Sequence, residues 1–141
     1  MSRFVAAASL ALALVVTPAA LTAQVVLGTP QVWRARNARE FRALQEHPEA
    51  APVAAREFSR TERLLIRVPA FGADTPLVSA RLLSRLGVPM RDLPLATGDD
   101  ASTRQVDLPL SGFAVGDYVI EFTARGTGRD VRESLRFRVV P

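Results

Sequence analysis

The sequence predicts an all-β chain: an immunoglobulin/fibronectin type III-like β-sandwich of about seven strands, preceded by a signal peptide and one short helix. Three observations carry this. From Val53 onward, apolar and polar residues alternate with period two in short runs separated by Gly, Pro, Asp and Ser. A lone tyrosine, Tyr118, follows the glycine-bearing turn Gly112 to Gly116. That placement fits a tyrosine corner, in which the ring is buried and the hydroxyl bonds upstream backbone. Helical signals, by contrast, are confined to one short stretch before Val53.

The first segment, 1–23, reads as a signal peptide. Arg3 gives a short positive region, and Phe4 to Val16 is apolar except for Ser9. Pro18 breaks the run, and Ala19, Ala20 and Ala23 supply small residues for cleavage after Ala23. The apolar run is shorter than the roughly 20 residues of a spanning helix. No stable membrane span is therefore expected after signal removal, and the mature chain should be periplasmic or secreted, beginning at Gln24. The stretch 24–52 reads as an N-terminal extension. Gly28-Thr29-Pro30 marks a turn. Asn37 and Glu40 match a capping box for a helix at 38–46, with Phe41 and Leu44 on one face. Pro48 stops it, and so short a helix must pack on something to persist.

The sandwich domain is expected at 53–141. Val53 to Phe58 is the first strand, and Ser59 to Glu62 the turn. Leu64, Ile66 and Val68 share a face of the second. Val78, Ala80 and Leu82 mark the third, and Ser84 to Gly87 a tight connection. Val88 to Leu95 is the fourth, an edge strand because of Pro89 and Pro94. Ala96 to Ser102 is a polar loop turning at Gly98-Asp99-Asp100. Val106, Leu108 and Leu110 mark the fifth. The inner face of the sixth is Tyr118, Ile120, Phe122 and Ala124; that of the seventh is Leu135, Phe137 and Val139. The link Arg125 to Asp130, with two glycines, predicts a hairpin between these last strands. Inward residues must oppose inward residues; the expected register sets Ile120 against Phe137 and Glu121 against Arg136, and a competing one, shifted by two residues, sets Glu121 against Arg138 or Ser134. Tyr118, Ile120, Phe122, Leu135 and Phe137 are the structural residues expected to hold the fold.

Composition narrows the function. The chain has 141 residues and no cysteine, so disulfides, thiol nucleophiles and thiolate metal sites are excluded. All 18 basic residues are arginine, yet the net charge is only +4. Pairs such as Arg39-Glu40, Arg56-Glu57, Glu62-Arg63 and Arg132-Glu133 read as solvated faces. Nucleic acid is not an expected partner, because the arginines are spread along the chain rather than clustered. His47 is the only imidazole, and a surface role at the helix C-terminus suits it. No Gly-x-Ser-x-Gly elbow or phosphate loop occurs. Asp99, Asp100 and Asp107 are oxygen donors of the kind calcium takes, but they read as charged turns. Trp33, the single tryptophan, falls outside the predicted sandwich. No catalytic residue, metal site or cofactor is expected.

The stretches Ala55 to Val68, Ala80 to Met90, Val106 to Leu110 and Gly116 to Glu121 are similar to one known domain. It is the C-terminal β-sandwich of bacterial secreted von Willebrand factor A-related proteins, and the similarity runs from about Asn37 to Val140. The family's adhesion domain would carry an Asp-x-Ser-x-Ser motif. None occurs here, so no metal-binding residue is carried over. The resemblance implies a stand-alone accessory sandwich and says nothing of activity. Because no catalytic constellation is found, the expected function is non-enzymatic, in protein interaction or structural support, with another exported or envelope protein as partner. The alternative is a ligand-binding module for glycan or another envelope component.

Overall fold

The computed structural model describes residues 24–126 and 128–141. The proposed signal peptide, 1–23, lies outside the described residues. The described residues form ten strands and one helix: β1 (Val26–Leu27), β2 (Gln31–Ala35), α1 (Ala38–Glu46), β3 (Glu57–Ser59), β4 (Arg63–Phe71), β5 (Leu77–Ser84), β6 (Pro89–Leu93), β7 (Ala96–Thr97), β8 (Thr103–Pro109), β9 (Gly116–Arg125) and β10 (Val131–Val140). Two five-stranded sheets face each other. In the first, β4 pairs with β1 and β2 on one side and with β8 on the other, and β7 follows β8. The second runs β3-β10-β9-β5-β6. The chain is a β-sandwich. Each of the seven expected strands has a counterpart, but the first, expected at Val53–Phe58, is reduced to Glu57–Ser59 with Val53–Arg56 outside any strand; β1, β2 and β7 are additional.

The inward residues of both sheets make one core. Leu64, Ile66, Val68, Val106 and Leu108 from the first sheet meet Leu82, Ile120, Phe122, Leu135, Phe137 and Val139 from the second. Ile120, Phe122 and Val139 are wholly buried. Tyr118 is buried beside them, and its hydroxyl donates to the Ala114 carbonyl at 2.8 Å. That bond runs four residues upstream, the geometry of a tyrosine corner.

The stretch 24–52 does not stand apart from the sandwich. β2 pairs antiparallel with β4, Trp33 lying opposite Leu65. The outer face of that pair carries Trp33, Ala35 and Leu65, and α1 covers it through Phe41. The helix starts on a variant of its capping box: the Glu40 amide donates to Asn37 Oδ1 at 2.9 Å, but the Glu40 carboxylate reaches one residue past the cap and accepts from the Arg36 amide at 2.8 Å. The second strand is consequently buried on both faces from Leu64 to Val68, not on the Leu64, Ile66 and Val68 face alone.

Two expectations are corrected. The β9–β10 hairpin is formed, but its register is shifted by two residues. Ile120 lies opposite Leu135, Tyr118 opposite Phe137 and Glu121 opposite Ser134. Matching inward to inward fixes only the parity of a register, not which inward pair is opposed. The shifted register stacks Tyr118 on Phe137, centroids 5.7 Å apart, and sets Asp117 directly across from Arg138. Those contacts replace the expected Glu121–Arg136 pair. Glu62, taken for a solvated residue, is buried. Its carboxylate accepts from the Ser59 amide at 2.8 Å and faces Arg34 at 3.8 Å, so it closes the β3–β4 turn.

Candidate functional site

The residues the sequence offered for chemistry are dispersed. His47 is exposed, and its Nδ1 meets only the Glu49 carboxylate at 3.0 Å. The bond of the Glu49 carboxylate to its own backbone, then the one to His47, holds its pKa below the ordinary glutamate range. Asp107 forms a two-point pair with Arg63, whose own pKa that bond raises. Asp100 accepts from the Ser102 hydroxyl and amide and from the Thr103 hydroxyl, which lowers its pKa and knits the β7–β8 turn. Asp99 instead faces Arg67 at 3.5 Å. The three aspartates thus serve three separate contacts. Among the described residues, no three His, Asp or Glu side chains gather as a metal would need.

Trp33 is buried, so its face is no platform for a sugar. Its indole Nε1 donates to the Ala50 carbonyl at 2.7 Å, and the Arg67 guanidinium lies 4.8 Å from its ring centroid. Arg67 is itself only 7% exposed; Nη2 donates to the Leu44 carbonyl at 3.2 Å. Its Nε has no hydrogen-bond partner. A buried guanidinium is tolerated because Asp99, the helix carbonyl and the indole face share its charge. These residues anchor α1.

Exposed large apolar residues fall in two places: Val26, Phe71 and Leu77, of which Val26 and Phe71 are cross-strand partners, and a second set toward the end of the sandwich where β5 ends and β9 begins. The β5–β6 turn is fixed by backbone bonds: Ser84 donates to Val88 and Gly87 to Ser84, both at 2.9 Å. The Ser84 hydroxyl also accepts from the Leu86 and Val88 amides, each at 3.3 Å. Gly87 takes φ +80°, a conformation side chains rarely adopt. Leu86 at its apex is 79% exposed; Val88 is 58%, Met90 54% and Val115 54% exposed. Leu86 and Val88 lie on or next to this turn, Met90 in β6 and Val115 in the β8–β9 loop.

A β-bulge sharpens this end. Leu83 pairs with Pro89 and Leu82 with Arg91, so Met90 is the extra residue. A bulge re-aims side chains and twists an edge strand. Arg91 is thereby set opposite inward Leu82, and its guanidinium lies 5.3 Å from the Phe113 ring centroid. Between this edge and the β8–β9 loop runs a groove of about 570 Å³, lined by Leu82, Met90, Arg91, Phe113, Ala114 and Tyr118. Phe113 packs edge-on to Tyr118 at 5.1 Å, so the tyrosine corner also stiffens the groove wall.

Tyr118 borders a second hollow as well, a cleft of about 430 Å³ on the outer face of the second sheet. Its charged lining is Arg56, Glu57, Arg85, Asp117, Arg136 and Arg138. Arg138 Nε donates to Asp117 Oδ1 at 2.8 Å, Nη2 to Oδ2 at 3.3 Å, and Nη1 lies 4.0 Å from Glu57. The Arg138 bond holds the Asp117 carboxyl below the ordinary aspartate range, and raises Arg138 in turn. The sequence did not isolate this end. Leu86, Val88 and Met90 read as part of an alternating connection and strand. The usable signal was an apolar trio beside Pro89 on an expected edge strand, flanked by Arg85 and Arg91.

No family model and no curated protein matches the chain. Among solved structures it is similar to CopC from Methylosinus trichosporium OB3b, at 19% identity, covering 62% of this chain and 84% of that one with a TM-score of 0.42. It is also similar to the endo-beta-1,4-mannanase from Thermotoga petrophila, at 16% identity and a TM-score of 0.48. That match covers 72% of this chain and 23% of the mannanase chain, so the chain spans less than a quarter of it.

Proposed function

We propose that the chain is a non-catalytic, exported β-sandwich module that binds another exported or cell-envelope protein through the end carrying the β5–β6 turn. The observation behind this reading is Leu86 and Val88, exposed on a hydrogen-bonded turn, with Met90 of the adjoining β6 and Val115 of the β8–β9 loop also exposed. Ordering Leu86 and Val88 on binding costs little, because the turn is set beforehand. Burying a leucine side chain contributes about 1.5–3 kcal/mol, which suits an interface anchor. Export follows from the 1–23 signal pattern. The similarity to the von Willebrand factor A-related sandwich belongs to the same proposal as a statement about the domain, not about its activity. A glycan partner is disfavoured by the burial of Trp33.

Site-specific photo-crosslinking in the native cell envelope tests this. A photoreactive residue at Leu86 or Met90 should give a discrete adduct. The same residue at Leu77, comparably exposed at the opposite end of β5, should not. Equal adducts from both ends, or none from Leu86 and Met90, would overturn the reading.

A further inference from the structure

The arginine-lined cleft next to the apolar turn specifies what kind of partner fits. We propose that the partner is held through an acidic, leucine-like segment, its carboxylates in the cleft beside Arg85 and Arg136 and its apolar side chains on Leu86, Val88 and Met90. This rests on the reading of that end as the binding surface.

Charge accounting inside the cleft supports it. Four arginines face two acids, and Arg138 takes both, Asp117 closely and Glu57 more distantly. Arg56 Nη1 is committed to the carbonyls of Val53, Ala54 and Ala55 at 2.9–3.3 Å. Among the described residues, Arg85 and Arg136 form no ion pair within 4.0 Å, although Arg85 acts on Asp117 at longer range, a carboxylate already held by Arg138. Arg91 on the groove side forms no such pair either. Guanidinium groups bind carboxylates through paired N–H donors, so unpaired arginines in a hollow favour an acidic guest.

Position links the charge to the apolar turn. Arg85 precedes Leu86 in the chain, and Tyr118 lines both hollows. Val119 lies opposite Arg136 on one side and Leu83 on the other. Arg136 is therefore two strand spacings from β5, roughly 10 Å, a distance about three residues of extended chain can span. One short segment could place carboxylates over β9 and β10 and apolar groups over the turn. The neighbouring apolar groove sets this surface apart from a simple polyanion site.

The test uses fluorescence anisotropy of the exported chain with three labelled probes. They are a short peptide alternating glutamate and leucine, its glutamine–leucine counterpart, and a heparin oligosaccharide. The glutamate–leucine peptide should bind about tenfold more tightly than the other two, with affinity falling as salt rises. The double variant Arg85→Gln, Arg136→Gln should remove that preference, while Leu86→Ser should weaken both peptides. Equal binding of the two peptides, both weakened by Leu86→Ser, overturns the acidic partner and leaves the binding end standing. Heparin binding as tightly as the acidic peptide, indifferent to Leu86→Ser, overturns the segment in favour of a sulfated polyanion. Loss of every Leu86 dependence, here and in crosslinking, removes the binding end itself.

Discussion

Removing the Phe41 ring tests how α1 is held. Phe41 is the helix's buried side chain, packed in the cluster of Trp33, Ala35 and Leu65. The Arg63 guanidinium lies 4.2 Å from its ring centroid. Phe41→Ala forfeits burial and leaves a hole, a loss of about 3–5 kcal/mol in packed sites. The cation–π contact, half-exposed, adds about 0.5–1 kcal/mol at most. A helix of nine residues cannot stand undocked, so the loss falls on α1 first. Undocking also uncovers Trp33 and Leu65 and costs Arg67 its Leu44 carbonyl. We expect denaturant melts to show a loss of about 3–4 kcal/mol. Native-state hydrogen exchange should show the amides of residues 41–46 losing protection well before those of β9 and β10. A loss below about 1 kcal/mol with those amides still protected would refute a Phe41-anchored helix.

Tyr118→Phe should cost about 0.5–1.5 kcal/mol in the same melts, because it removes the 2.8 Å bond to Ala114 while keeping the ring between Phe113 and Phe137. A neutral result would deny the corner its hydrogen bond. Asp117 titrates below its unfolded value, so the folded state is favoured above the ordinary aspartate range near about 4 and loses that contribution as pH falls through the depressed folded value. Carboxyl NMR should show the Asp117 midpoint rising in Arg138→Gln; an unmoved midpoint would exclude Arg138 as the cause. Intact mass of the natively exported protein should correspond to a chain starting at or near Gln24, and retention of Met1 to Ala23 would contradict cleavage.

Period-two alternation made β4, β5, β8, β9 and β10 readable because each has an inward face, and the capping box made α1 readable because its signal is local. β2 was hidden for a different reason. Val32 enters the main core, while Trp33 and Ala35 enter a second one under α1, so Gln31–Ala35 lacks a clean alternation. The same layering conceals Leu65 and Arg67, which point away from Ile66 yet are buried. The β9–β10 register depended on which aromatic stack and which ion pair formed, contacts that parity alone does not rank. The candidate binding end was least legible. Exposed Leu86, Val88 and Met90 have the spacing of an ordinary strand face, and only the bulge at Met90 and the fixed turn place them outside the core.

The most direct measurement is photo-crosslinking from Val115, at the same end, in the double variant Leu86→Ser, Met90→Ser, alongside its thermal melt. Both side chains are more than half exposed, so the variant should melt within about 0.5 kcal/mol of the parent while the Val115 adduct disappears. A full-strength adduct from a variant that has lost stability would mean these residues serve the fold, and would contradict a binding role for this end.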